Sequence, residues 1–202
     1  MKRLKINSDQ THFIGSWNIE DNNLSKEMIK FFNNNKDLQN QGLSGVGVNL
    51  EVKNSIDIRI KPDDLKNTKY RIFKDYISKL HECYLDYLIQ WPNLNGMIKN
   101  IDIGEFNLQK YNKGGHFAGI HSERTSLVTL HRVFAWMTYL NDVEESGETN
   151  FTHYNINIKP EVGKTLIWPA EWTHAHSGGI VKEHSKYIIT GWMHFPYIEN
   201  LK

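Results

Sequence analysis

From Ile101 onward the chain breaks into short apolar runs separated by Gly, Asn, Asp and Pro. Such runs are too short for packed helices and suit β-strands bounded by turns. Candidate strands cover 103–111, 116–122, 131–140, 156–159, 164–168, 174–181 and 186–195. Many short strands at regular spacing predict a sandwich or barrel. The fold class expected is therefore α+β, mainly β: a double-stranded β-helix, or jelly roll, with N-terminal helices packed on its outside.

The first half carries the helices. Phe73, Tyr76, Ile77, Leu80, Tyr84, Tyr87 and Leu88 recur at three- and four-residue steps, which predicts an amphipathic helix over 70–90. Trp91-Pro92-Asn93 ends it, because proline disfavours helix at the residue before it. A shorter helix is expected over 25–32, with Met28, Phe31 and Phe32 on one face, after a short strand at 13–17. Ile56, Ile58 and Ile60 alternate with Asp57 and Arg59, the pattern of a half-buried strand. Segments 39–47 and 144–150 read as loops placed to serve as lids.

A chain of 202 residues suits one domain, here a helix-rich part over 1–100 and a jelly-roll core over about 101–196. The formal net charge of +1 offers no basic surplus for nucleic acid. No apolar stretch approaches the ~20 residues of a membrane span, and no apolar leader follows the basic start, so a cytoplasmic location is expected. The single cysteine, Cys83, rules out an internal disulfide and a two-cysteine zinc site.

Most of the ten histidines fall in the second half. In His121-Ser122-Glu123, an extended backbone would point His121 and Glu123 to the same face. With one distant histidine they would form a 2-His-1-carboxylate set, which leaves open positions on a six-coordinate iron. His174 and His176 are both candidates for that histidine, and local pattern alone does not choose between them. Lys186 opens the apolar strand Tyr187-Ile188-Ile189. If it faces inward, an anion must offset the cost of burying its ammonium.

An ordered series of motifs resembles the prolyl 4-hydroxylase-like 2-oxoglutarate/Fe(II)-dependent oxygenases. It runs through Gln109-Lys110-Tyr111 with Gly114, then Tyr139-Leu140-Asn141-Asp142, then Gly147-Glu148-Thr149 and Phe151. It continues with Pro160 and Gly163, then His176-Ser177-Gly178 with Val181, and ends on Lys186. The resemblance covers nearly half the chain. It implies that His121, Glu123 and His176 hold iron and are the catalytic set, and it prefers His176 to His174 by its spacing to Gly178 and Lys186. It implies that Lys186 pairs with the distal carboxylate of 2-oxoglutarate and that Tyr111 supports the same group. Glu123 sits where the family usually has Asp, so its longer side chain must fold back or the metal must shift. The stretch between Tyr111 and His121 differs in length from the family pattern, which points to a bulge, and Ile180 replaces the usual Pro.

The activity implied is hydroxylation of an unactivated C–H bond, using Fe(II), 2-oxoglutarate and O2, with release of succinate and CO2 and with ascorbate as an optional reductant. The substrate would be a small molecule or peptide, a prolyl or other amino-acid residue among them. Arg132, Trp136, Trp168, Trp172 and His174 are candidate pocket walls, with core packing the stronger expectation for the tryptophans. Three rivals stand beside this reading: an inactive metal-binding jelly roll that serves as a binding module, a zinc hydrolase and a structural β domain. Oligomeric state is not legible in the sequence.

Overall fold

The computed structural model describes residues 1–45 and 47–196; Val46, inside the expected loop at 39–47, and residues 197–202 lie outside them. In chain order the first strands are β1 (Lys2–Arg3), β2 (Gly15–Asn18), β3 (Asn40–Gln41), β4 (Lys53–Asn54) and β5 (Ile56–Ile60). Then come β6 (Asp102–Ile103), β7 (Phe106–Tyr111), β8 (His116–His121) and β9 (Arg132–Tyr139). The last are β10 (Thr149–Phe151), β11 (Ile156–Ile158), β12 (Lys164–Pro169), β13 (His176–Gly178) and β14 (Lys186–His194). Helix α1 (Asn22–Asn34) follows β2, and α2 (Arg71–Gln90) follows β5.

Among the described residues the strands form two antiparallel sheets. The larger, with nine strands, runs β1-β2-β12-β9-β14-β7-β5-β3, with β6 also paired to β14. The smaller, with five, runs β11-β10-β13-β8-β4. Side-chain alternation sorts the larger sheet into two faces. Phe106, Leu108, Phe134, Trp136, Tyr187, Ile189 and Met193 point outward and pack on the helices. Tyr111, Ala135, Met137, Tyr139 and Ile188 point inward and meet Phe151, Ile156 and Ile158 of the smaller sheet. This is the jelly roll with external helices that the strand pattern predicts.

Each helix forms where the sequence places its apolar stripe. Asp21 caps α1, its carboxylate accepting the Leu24 N–H at 3.0 Å. That bond satisfies one of the donors a helix start leaves open. Leu24, Met28, Phe31 and Phe32 then bury one face. In α2 the buried stripe is Phe73, Tyr76, Leu80, Cys83, Tyr84 and Tyr87, with Ile77 and Leu88 half-buried at its edge.

Several expectations needed correction. The strand expected over 174–181 is only His176–Gly178, because 172–174 is a 3-10 turn. The strand expected over 103–111 is broken at Gly104, where a Cβ would lie 2.8 Å from His194 Nε2. Thr149 and Asn150 belong to β10, not to a lid, and Asn40 and Gln41 pair with β5. Strand β5 keeps the expected alternation at Ile58, Arg59 and Ile60, and only Asp57 departs from it, being buried on the inner side. Among the described residues no helix is long and apolar enough to cross a membrane.

Leu80 is fully buried on the helix-covered side. Leu80→Ala is expected to cost about 2–5 kcal/mol of stability, and each kcal/mol to lower Tm by roughly 2–4 °C. A thermal melt followed by circular dichroism checks it, and an unchanged Tm would mean that α2 is not packed on the sheet.

Candidate metal centre

Two histidines meet because β8 and β13 are antiparallel partners, with His121 opposite His176. The register slips between them: Gly178 pairs with Phe117, so Ala118, Gly119 and Ile120 stand opposite Ser177 alone. This is the bulge expected before His121, and such bulges re-aim side chains. The ring centroids of His121 and His176 are 4.4 Å apart.

Both rings are fixed in the same way. His121 Nδ1 bonds the Gly119 carbonyl at 2.8 Å, and His176 Nδ1 bonds the His174 carbonyl at 2.9 Å. A carbonyl only accepts, so each Nδ1 carries a proton and each Nε2 is the nitrogen turned toward the site. Phe117 stacks on His121 at 3.9 Å, while Phe151 and Trp168 pack on His176. Burial, with the neighbouring His121, pushes the His176 pKa down to about 4. The imidazole is therefore neutral at physiological pH and has no proton to lose before it ligates.

Glu123 lies just beyond the end of β8. Its Oε1 is 3.7 Å from His121 Nε2 and 3.5 Å from His176 Nε2. Among the described residues this is the one group of three metal-ligating side chains, with all ligand atoms within 4.8 Å of one another. Donors on one face of an octahedron with bonds of about 2.1 Å lie roughly 3 Å apart, so Glu123 Oε1, at 3.7 and 3.5 Å from the two ring nitrogens, is close to ligating distance from both histidines. Two imidazoles and one carboxylate, with no thiolate, fit Fe(II).

The inner face also holds a buried cation. Lys186 is 3% exposed and sits directly across from Tyr111 in the β14–β7 ladder. Its ammonium lies 4.7 Å from the Tyr111 ring centroid and donates to the Gly147 carbonyl at 2.8 Å. Gly147 has φ +74, a backbone that glycine adopts without strain. Among the described residues no carboxylate is within ion-pair distance of Lys186. Burial pulls its pKa down to about 8. A buried ammonium with one carbonyl partner fits an anionic ligand.

Tyr111 is tied to a different group. Its hydroxyl donates to Gln109 Oε1 at 2.8 Å, and Gln109 Nε2 donates to Asp57 Oδ2 at 3.1 Å. Asp57 also accepts from Lys53 Nζ at 2.7 Å and from Ser55 at 2.8 Å. Burial drives the Tyr111 pKa well up, so the phenol stays protonated.

The other predicted residues divide. His174 is buried away from the triad, its Nε2 bonded to the His12 carbonyl at 2.8 Å. It serves His176 through its backbone carbonyl, and the i, i+2 expectation fails for it because residue 174 is in a turn. Arg132 is at the site: its Nη1 donates to the Glu123 carbonyl at 3.0 Å. Trp168 walls His176, whereas Trp136 is in the outer core and packs on Tyr76 and Phe106. Trp172 is 67% exposed and touches His153. Sequence reasoning missed Phe117, Asp57 and Trp192. Trp192 was findable: it is six residues after Lys186 on one strand, hence on the same face.

Residues 106–194 match the family described as the 2OG-Fe(II) oxygenase superfamily. No curated protein matches the chain by sequence. Among solved structures, a Pseudomonas putida prolyl-4-hydroxylase superposes with a TM-score of 0.69 at 13% identity, over 93% of this chain and 95% of that one. A prolyl hydroxylase from Trichoplax adhaerens, solved with a hypoxia inducible factor peptide fragment, gives 0.69 at 16% identity, over 91% and 84%. A viral collagen prolyl hydroxylase from Paramecium Bursaria Chlorella virus-1, solved as a 2OG complex, gives 0.63 at 16%, over 90% and 95%.

The match to the 2OG-Fe(II) oxygenase superfamily spans 106–194, the stretch that carries His121, Glu123 and His176. The fold of the chain is that of the prolyl hydroxylases.

Two outcomes follow from this geometry. His174→Ala is expected to cost roughly 1–3 kcal/mol of stability through the buried His12 carbonyl it leaves unpaired, yet to retain metal, whereas His176→Ala loses metal; an Fe(II) titration under argon separates them. The second concerns Lys186, whose cation is lost as pH rises through about 8. Affinity for 2-oxoglutarate should then fall by about tenfold between pH 7 and pH 9; a pH-independent affinity in that range would remove Lys186 from its binding.

Proposed function

We propose that the chain hydroxylates an unactivated C–H bond of an amino-acid or peptide substrate, a prolyl residue among the candidates, with release of succinate and CO2. The observation that carries this reading is the shared inner face. A facing set of His121, Glu123 and His176 and a buried Lys186 ammonium bonded to one carbonyl lie in one jelly-roll interior.

In this reading His121 Nε2, His176 Nε2 and one oxygen of Glu123 hold the iron. Bound there, iron supplies the oxidative chemistry that hydroxylation requires. Lys186 holds the distal carboxylate of 2-oxoglutarate by a charge-assisted hydrogen bond, giving up the Gly147 carbonyl to do so. Tyr111 contributes its ring beneath the ammonium. A direct bond from its hydroxyl to the carboxylate would exchange the one it donates to Gln109. Phe151 and Trp168 shield His176 from water, and Phe117 stacks on His121.

The substrate reading draws on two observations. The Trichoplax enzyme of the same fold was solved with a peptide. In this chain the segment between Glu123 and β9 carries Leu127 and Val128, 87% and 81% exposed, which a peptide's apolar side chains would cover.

The test is a visible spectrum of apoprotein mixed with Fe(II) and 2-oxoglutarate under argon. A weak charge-transfer band is expected that needs both additions and is absent in His176→Ala and Glu123→Ala. Succinate release in air, stimulated by prolyl peptides or free amino acids, then identifies the substrate. Folded, iron-loaded protein without the band would make the inactive binding module the better reading.

A further inference from the structure

Glu123 reaches the site differently from its two partners. His121 and His176 are in paired strands, and each ring is fixed by its own backbone bond. Glu123 is beyond the end of β8, where no ladder holds the backbone. Its side chain also has one methylene more than aspartate. Unrestrained, it could offer one oxygen, offer both, or swing away.

Two residues from the larger sheet remove that freedom. Trp192 Nε1 donates to Glu123 Oε2 at 2.6 Å. Arg132 Nη1 lies 3.8 Å from the same Oε2 while it donates to the Glu123 carbonyl. The Arg132 guanidinium lies 3.6 Å above the Trp192 ring centroid. Side chain and backbone of Glu123 are thus gripped by one stacked pair, and Oε1 lies 3.7 and 3.5 Å from the two histidine Nε2 atoms.

A register irregularity places Arg132 there. By parity it would point outward with Phe134 and Trp136, toward the helices. The β14–β9 ladder shifts between Met193 and His194: Met193 pairs with Phe134, and His194 pairs with Arg132. The extra residue, Val133, turns Arg132 toward the Trp192 side.

We propose that Trp192 and Arg132 are positioning residues that fold Glu123 back, commit Oε2 to the protein and present Oε1 alone to the metal. The clamp lets a glutamate serve in a position where an aspartate would reach by length alone. It also keeps the carboxylate from binding through both oxygens, which would close a coordination position the cosubstrates need. The inference rests on the metal-site reading above.

The experiment titrates apoprotein with Mn(II), followed by the loss of the free-ion electron paramagnetic resonance signal. Wild type, Trp192→Phe, Glu123→Asp and the double variant are compared. Trp192→Phe keeps the aromatic ring and removes only the N–H. It is expected to weaken Mn(II) binding by about 10–100-fold, the range for partners that orient a metal ligand, and to leave the thermal melt near that of wild type. In the Glu123→Asp background the same substitution is expected to change nothing further, because the shorter carboxylate does not reach Trp192. Arg132→Gln, at the half-buried rim, is a second arm and should weaken binding several-fold. Wild-type affinity in Trp192→Phe, or an equal loss in both backgrounds, overturns the clamp and leaves the metal site standing. Folded wild-type protein that takes up no Mn(II) overturns the metal site and the clamp together.

Discussion

The centre of this molecule depends on how β8 and β13 pair. Antiparallel register sets His121 opposite His176, and the slip beside them gives β8 the slack to do so. Backbone carbonyls from the same two segments then accept both Nδ1 protons. The sheet therefore supplies both the spacing of the imidazoles and their orientation. Rotating either ring would leave a buried N–H unbonded, a cost comparable to a lost hydrogen bond. The surrounding rings of Phe117, Phe151 and Trp168 add a steric reason for the same orientation.

Around that centre the inner face is unusually polar for a space between two sheets. Lys53, Ser55, Asp57, Gln109 and Tyr111 form one continuous chain of hydrogen bonds, each buried group meeting another. On the opposite, helix-covered face of the larger sheet, Tyr76, Thr138 and Thr165 form a second such chain, at 2.8 and 2.7 Å. Satisfied networks of this kind fix a unique arrangement, because any alternative strands a polar atom in a low-dielectric interior. Lys186 departs from the pattern: three donors, one carbonyl partner and a depressed pKa. The contrast between satisfied neighbours and one under-satisfied cation marks where a charged ligand belongs.

Much of this was legible in the sequence, for identifiable reasons. Long amphipathic helices announce themselves by period, and α2 was expected within a residue of where it is. The inner site residues survive as spaced motifs because strand alternation forces function into every second position. What was not legible depends on tertiary partners. β10 is three residues of Thr-Asn-Phe, with no apolar run to mark it, and it exists because β11 and β13 flank it. Asp57 reads as a solvent-facing partner of Ile56 and Ile58, yet its carboxylate is held by Lys53, Ser55 and Gln109 rather than by water. His174 resembles a ligand until the turn at 172–174 sends its ring to His12.

Strand β14 works as a reading frame. Lys186, Ile188 and Trp192 share one phase, and Tyr187, Ile189 and Met193 share the other. The first phase is written in groups that bind and hold, the second in groups that pack on helices. Losing a single residue within 187–191 would exchange the two phases beyond the cut, aiming Trp192 at α2 while Lys186 still faced Tyr111. Along this stretch sequence drift is confined to substitution, since a one-residue gap would uncouple the cation from the carboxylate's support in one step. The length of β14 between those two residues is thus as much a part of the site as the residues themselves.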